Sequence, residues 1–77
     1  MDELQRLATD LQMMVLREVT GHDADAAAMW ADELVDETFE EQPRLPLLRV
    51  YLDEIEKKAT RACGLRDRIE AVRQAIV

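Results

Sequence analysis

The sequence predicts an all-α protein, and three observations support this class. The 77-residue chain holds only two glycines and two prolines, so it offers few positions for tight turns. Only three of its residues are aromatic, whereas strands favour aromatic side chains. Apolar residues make up 48% of the chain and recur at spacings of three and four, as they do on amphipathic helices. A chain of this length forms one domain, residues 1–77, which we expect to be an antiparallel three-helix bundle.

The first helix is predicted at about residues 2–20. Its apolar stripe repeats at spacings of three and four: Leu4, Leu7, Leu11 and Met14. Near the C-terminal end the stripe widens to three more apolar positions: Met13, Leu16 and Val19. We therefore expect that end of the helix to be covered on two sides. Asp2 and Gln5 have the spacing of a capping box, and Gly21 can adopt the left-handed conformation that follows a helix end.

The second helix is predicted at about residues 23–41, with Asp23 as its N-cap. One side of this helix carries small and apolar residues, and we expect Trp30 and Leu34 on this side to face the core. The segment contains eight acids and no lysine or arginine. The other side is thus an acidic face, which consists of Asp32, Glu33, Asp36, Glu37, Glu40 and Glu41. Met29 lies among these acids, so we expect its side chain to be exposed.

The third helix is predicted at about residues 46–77, because Pro46 is well tolerated in the first turn of a helix. Apolar residues then repeat every seven positions: Leu48, Ile55, Ala62, Ile69 and Ile76. Gly64 interrupts this segment and leaves two alternatives. It either ends the third helix, so that a fourth begins at Leu65, or it is a weak point inside one long helix. The seven-residue repeat passes through Gly64 without a shift, which favours the continuous helix.

A continuous third helix has a consequence for assembly. It would be about 48 Å long, whereas each of the first two helices would be about 27–30 Å long. The apolar residues of its second half would then lack cover from their own chain: Leu65, Ile69, Val72 and Ile76. Such a stripe favours a second chain, and we expect a homodimer in which Arg66 and Arg73 pair with acids of the other copy. A groove on a different protein is the alternative.

The charge of the chain limits its partners and its location. The net charge is −7, which argues against direct binding to nucleic acid. Residues 1–42 hold twelve acids and two bases, whereas residues 43–77 hold five acids and eight bases. This division indicates either complementarity between the helices or recognition of a basic partner. The chain has an acidic start and no apolar run long enough to cross a bilayer, so we expect a cytoplasmic protein without membrane attachment.

The sequence offers little for catalysis. It contains no serine, and His22 and Cys63 are the only residues of their kinds. A lone cysteine also cannot form an internal disulfide bond. The two glycines are isolated, so no glycine-rich loop is available to bind a phosphate. The acidic face points away from the core and has no accompanying histidine, which disfavours a metal site. We expect no catalytic, cofactor-binding or metal site.

These observations favour binding over chemistry. The leading hypothesis is a small acidic, non-enzymatic interaction module (an adaptor, chaperone or inhibitor) that binds a partner protein stoichiometrically. The alternative is a phage- or plasmid-type anti-defence inhibitor, of the anti-CRISPR or anti-restriction kind, whose acidic helix mimics nucleic acid. In both hypotheses the acidic face contacts another protein, which is basic or handles nucleic acid.

Overall fold

The computed structural model describes residues 2–59 and 63–76, and the regular elements in this part of the chain are all helical. Four α-helices follow one another along the chain: α1 Glu3–Glu18, α2 Ala24–Thr38, α3 Leu45–Lys58 and α4 Cys63–Ala75. A short 3-10 turn, Gly21–Asp23, leads into α2. The predicted all-α class is confirmed, but the bundle has four helices where three were favoured.

Both ends of α1 follow from the sequence. Asp2 and Gln5 form the predicted capping box, in which Gln5 N donates to Asp2 Oδ1 over 2.8 Å and Asp2 N donates to Gln5 Oε1 over 3.3 Å. After Glu18 the backbone becomes extended at Val19. Gly21 has a φ of +80°, the left-handed conformation predicted beyond this helix end. Glycine adopts this conformation without strain, so the chain can reverse here into α2.

The bounds of α2 lie slightly inside the predicted ones. The helix begins at Ala24, after Asp23, whose side chain makes no capping hydrogen bond. It ends at Thr38, whose hydroxyl donates over 2.6 Å to a carbonyl of the preceding turn. Backbone bonds from Phe39 N and Glu40 N to the carbonyl groups three residues earlier, each 3.2 Å long, continue the turn beyond the helix.

The favoured continuous helix over residues 46–77 does not match the structure, because α3 ends at Lys58 and α4 begins at Cys63. The four-helix alternative does match, although Gly64 lies in the first turn of α4 and does not end α3. Ala62, the middle member of the seven-residue repeat, lies outside the described residues. The repeat identified the apolar faces of both helices, but such a pattern does not distinguish one long helix from two that fold back on each other.

The four helices form a ring in which each packs against two neighbours. Both α1 and α3 lie between α2 and α4. The register of α1 and α2 is given by two contacts. Gln5 Nε2 donates to Thr38 O over 3.1 Å, so the start of α1 lies beside the end of α2. Further along, the amide of Gln12 donates to the Asp32 carboxylate. The predicted antiparallel packing is therefore confirmed for this pair of helices.

One cluster of buried apolar side chains fills the centre of the ring. All four helices contribute to it: Ala8, Leu11 and Val15 from α1, Ala27, Ala31 and Leu34 from α2, Leu48, Leu52 and Ile55 from α3, and Leu65, Ile69 and Val72 from α4. Leu34 is fully buried, as predicted. Trp30 packs against this core but is only partly buried, with its ring centroid 5.8 Å from that of Tyr51.

The apolar stripe of α4 is not bare. Its four residues are each 3% exposed or less: Leu65, Ile69, Val72 and Ile76. Because α4 folds back against α1 and α3, its own chain covers this stripe, and the expectation that the stripe lacks cover is wrong. The partner seam and the homodimer inferred from the stripe therefore lose the observation on which they rested.

An ion-pair network joins α4 to α3. Arg73 Nη2 lies 2.6 Å from Asp53 Oδ1 and 3.2 Å from Glu56 Oε1, both on α3. Arg73 Nη1 lies 2.9 Å from Glu70 Oε1, one turn earlier on α4. The hydrogen bonds with Glu56 are the main reason why the pKa of Arg73 is raised above its ordinary value. Arg73 was expected to pair with a second copy, but the fold-back of α4 gives it acids of its own chain.

Two glycine substitutions should have opposite effects on stability. We expect Gly64→Ala to raise the free energy of unfolding by about 0.5–1 kcal/mol, because alanine favours the helix. An added Cβ at Gly64 would also meet only the ends of two flexible side chains at ordinary contact distance, Met14 Cε at 3.6 Å and the Glu18 carboxylate oxygens at 3.7 and 3.8 Å. Gly21→Ala should lower the free energy of unfolding by about 1–2 kcal/mol, because its φ of +80° strains any side chain. Urea unfolding followed by circular dichroism measures both effects. A Gly21→Ala variant more stable than the wild type would contradict the left-handed conformation at this turn.

Burial of the α4 stripe within one chain predicts how Ile69→Val behaves. Removing one buried methylene should lower the free energy of unfolding by about 0.5–1.5 kcal/mol. The loss should be the same at low and at high protein concentration, because the residue is already covered by its own chain. Thermal unfolding over a wide concentration range measures this. Val50→Ala, at an exposed position of α3, is the control. The predicted contact of the α4 stripe with a second chain would regain support if the thermal unfolding midpoint of the wild type rose with protein concentration and that of Ile69→Val rose less.

Candidate functional site

Most of the predicted acidic face is exposed on the outer side of α2 and of the turn that follows it. The five exposed acids are Asp32, Glu33, Asp36, Glu40 and Glu41. They point outward because α2 is anchored to the core on its other side, through Ala27, Ala31 and Leu34. Met29 lies among them and is 50% exposed, as predicted.

Three of the five exposed acids form a row. Asp32, Asp36 and Glu40 follow one another at intervals of four residues, and residues four apart are neighbours on a helix surface. At 1.5 Å of rise per residue, Asp32 and Asp36 are spaced by about 6 Å along the axis. Glu40 lies just past the end of α2, in a turn where its backbone N–H donates to Glu37 O over 3.2 Å. The row therefore continues the negative charge of α2 into the turn that follows it.

Glu37, the sixth acid of the predicted face, does not belong to the exposed surface. It is only 6% exposed and lies against Arg44, at the start of α3. Its Oε2 accepts hydrogen bonds from Arg44 N (2.9 Å) and Nε (3.2 Å), and its Oε1 accepts one from Arg44 Nη2 (2.9 Å). These bonds with Arg44 lower the pKa of Glu37 below its ordinary value. The expectation that Glu37 faces a partner is therefore wrong.

The helical pattern could not separate Glu37 from its neighbours, because its bonding partner comes from the next segment of the chain. Arg44 is the N-cap residue of α3, and its own side chain makes no capping bond. Its backbone N–H is one of those that lack an acceptor at a helix start. Glu37 supplies both this acceptor and the opposite charge. The available signal was that Arg44 is the only base between α2 and α3.

The five exposed acids have no ion pair within 4 Å to any described residue. Arg44 is held by Glu37, and Arg73 is held by acids of α3 and α4. Asp32 accepts a hydrogen bond from Gln12, whose side chain is neutral. Complementarity between the helices therefore accounts for Glu37 but leaves the five exposed acids without an ion pair within 4 Å among the described residues, although the charge of Glu40 helps to raise the pKa of Arg44.

Apolar side chains are exposed on α1, the helix that packs beside α2. On α1, Met13 is 64% exposed and Leu16 is 62% exposed. The expectation that this end of α1 is covered on two sides is therefore wrong, since only Val19 of the three residues is buried. The helix buries one face alone, at Ala8, Leu11 and Val15. Leu16 was not predicted as a surface residue because its apolar character favours burial, although its position on the helix lies off the core stripe.

The ion pair between the buried Glu37 and the exposed Arg44 predicts a pH-dependent effect of Glu37→Gln. The amide keeps the size of the side chain but loses the charge, so the variant should unfold at a lower urea concentration at pH 7. Because the pKa of Glu37 is lowered in the folded protein, the stabilisation is present above about pH 4.5, the ordinary pKa of glutamate. It is lost as the pH falls through the lowered value. The difference from the wild type should therefore shrink below about pH 4.

Glu41→Gln is the matched control for this experiment. Glu41 is exposed and makes no ion pair within 4 Å to the described residues, so its urea midpoint should stay close to that of the wild type. Equal effects of the two substitutions at pH 7 would contradict a structural role for Glu37.

Within residues 2–59 and 63–76, no group of three or more histidine, cysteine, aspartate or glutamate residues is placed to hold a metal ion. His22 lies in the 3-10 turn with its side chain exposed. The helices of the described segments include none with the length and apolar character needed to span a membrane. Comparison with protein-family models, with curated proteins and with solved structures found no match.

Proposed function

We propose that this protein is a small, non-enzymatic interaction module that acts by stoichiometric binding to a partner protein. One observation supports this most: the five exposed acids lie together on the outside of α2, without an ion pair to any described residue. The partner is a basic protein, for which this chain serves as an adaptor, chaperone or inhibitor. The proposed contact residues are Asp32, Glu33, Asp36, Glu40 and Glu41.

The arrangement of charge favours a complex over the isolated protein. Acids that are neighbours on a helix repel one another, so the unpaired row lowers the stability of the free protein. A lysine or arginine in α2 would relieve this repulsion, but residues 23–42 contain none. A basic partner would relieve it as well, and the attraction would speed and orient the encounter. Such a surface is typical of recognition.

The same charge limits where the protein acts and what it binds. Nucleic acids and anionic membranes repel a chain with a net charge of −7, so neither is proposed as a direct partner. The proposed location is the cytoplasm, because a single cysteine leaves the fold independent of internal disulfide bonds. No homodimer is needed to cover the α4 stripe, since its residues are buried.

The row of Asp32, Asp36 and Glu40 supports a second candidate function, the mimicry of nucleic acid. A row of exposed carboxylates offers repeated negative charge, as a phosphate backbone does. The partner would then be a nucleic-acid-handling complex, and the protein an anti-defence inhibitor of the anti-CRISPR or anti-restriction kind. Competition separates the two candidates. Nucleic acid should displace a mimic from its partner, and it should not displace an adaptor that binds elsewhere.

Reversal of charge in the row tests the proposed function. Asp36→Lys together with Glu40→Lys should leave the fold intact, because both residues are exposed and unpaired within 4 Å in the described structure. Binding to the partner, identified by pull-down from the native host with mass spectrometry, should weaken at least about tenfold. The loss should be larger at low salt, where charges are less screened.

The control places positive charge on the helix that lies across the ring from α2. Asp67→Lys with Gln74→Lys changes two exposed positions of α4 and raises the net charge almost as much. This variant should bind the partner as the wild type does. If both double variants weakened binding equally, binding would respond to net charge alone. If Asp36→Lys with Glu40→Lys left binding unchanged, the acidic surface would not be the contact.

A further inference from the structure

We infer that the partner presents a basic amphipathic helix, which packs its apolar side on Leu16 and Met29 and pairs its lysines or arginines with Asp32 and Asp36. This inference rests on the proposed function and names the partner's chemistry. It depends on two features that occur side by side: apolar side chains that the chain leaves exposed, and acids that it leaves unpaired.

Leu16 and Met29 lie on the outer surface that α1 and α2 share. The hydrogen bond between Gln12 and Asp32 fixes the contact of the two helices at this level. Leu16 follows Gln12 by one turn, and Met29 precedes Asp32 by nearly one turn. Because α1 and α2 are antiparallel, both side chains lie on the same side of this hydrogen bond along the bundle. Two side chains that are at least half exposed therefore lie at the same level of the bundle, one on each helix of this pair, and we call them the apolar patch.

Acids border this patch along α2. Asp25 lies one turn before Met29, and Asp32 and Glu33 lie about one turn after it. All three are exposed, and none forms an ion pair within 4 Å among the described residues. Apolar contact in the centre with charge at the rim is the usual anatomy of a protein interface. Methionine also suits such a surface, because its flexible side chain adapts to the partner.

Charge decides which occupant covers the patch. A second copy docking through the same surface would bring acids against acids, because a two-fold contact places the same patch on both sides. An anionic membrane or a nucleic acid would be repelled for the same reason. A protein segment with lysine or arginine around an apolar centre can contact the apolar patch and also pair with the acids that border it. A helix fits best, because side chains four residues apart on it match the spacing of Asp32 and Asp36.

A defined peptide tests the inference. The probe is a leucine and lysine peptide of about 18 residues, or five turns, with its leucines on one face of the helix. The comparison peptides are one of the same composition in shuffled order and an oligolysine of the same length. By fluorescence anisotropy, the amphipathic peptide should bind at least about tenfold more tightly than either. In a nuclear magnetic resonance titration, it should shift the signals of Leu16 and Met29.

Substitutions then assign the contact. Leu16→Ser with Met29→Ser should weaken binding of the amphipathic peptide about tenfold and leave binding of oligolysine unchanged. Val50→Ser, at an exposed apolar position of α3, is the control and should bind as the wild type does.

Three outcomes would overturn the inference. The first is equal binding of the amphipathic and shuffled peptides, with no effect of the serine variant. If Asp36→Lys with Glu40→Lys still weakens native-partner binding, the proposed function stands without this inference. The second is a failure of all three peptides to bind. The third is self-association, seen by sedimentation, that Leu16→Ser with Met29→Ser abolishes, since the patch would then belong to a second copy.

Discussion

The packing of α4 against α1 and α3 is the interaction on which the rest of the structure depends. A chain of 77 residues has little apolar material, and all four helices are needed to enclose one core. If α4 did not pack there, its apolar stripe and the residues of α1 and α3 that face it would be exposed to water. The network around Arg73 adds a polar link on the α3 side of this contact. Closure of the ring thus fixes which side of every helix is inner and which is outer.

The distribution of charge follows from this closure. The basic side chains that reach neighbouring segments are used within the chain, where Arg44 holds Glu37 and Arg73 holds the acids of α3. The outer side of α2 has no base of its own and receives none from another helix within 4 Å among the described residues. The acidic surface is therefore what remains after the internal ion pairs are made.

Local patterns predicted much of the fold, and tertiary contacts decided the rest. The capping box of Asp2 and Gln5, the turn at Gly21 and the exposed row on α2 each depend on a few adjacent residues, and the sequence predicted them. The cover of the α4 stripe, the burial of Glu37 and the exposure of Leu16 depend on which segments meet in space. A periodic pattern identifies the apolar side of a helix, but it does not identify what covers that side. The function was predicted only as a class, because a partner's identity is not encoded in one chain.

The central claim is that the outer side of α2 is a binding surface, and labelling of carboxyl groups tests it most directly. Carbodiimide labelling read by mass spectrometry reports the accessibility of each acid in the free protein and in the presence of native-host extract. In the free protein, Glu37 should react slowest, and Asp32, Asp36 and Glu40 should react readily. In the extract, these three should become protected while Asp67 on α4 stays reactive. Protection of Asp67 with continued labelling of Asp32, Asp36 and Glu40 would contradict this account.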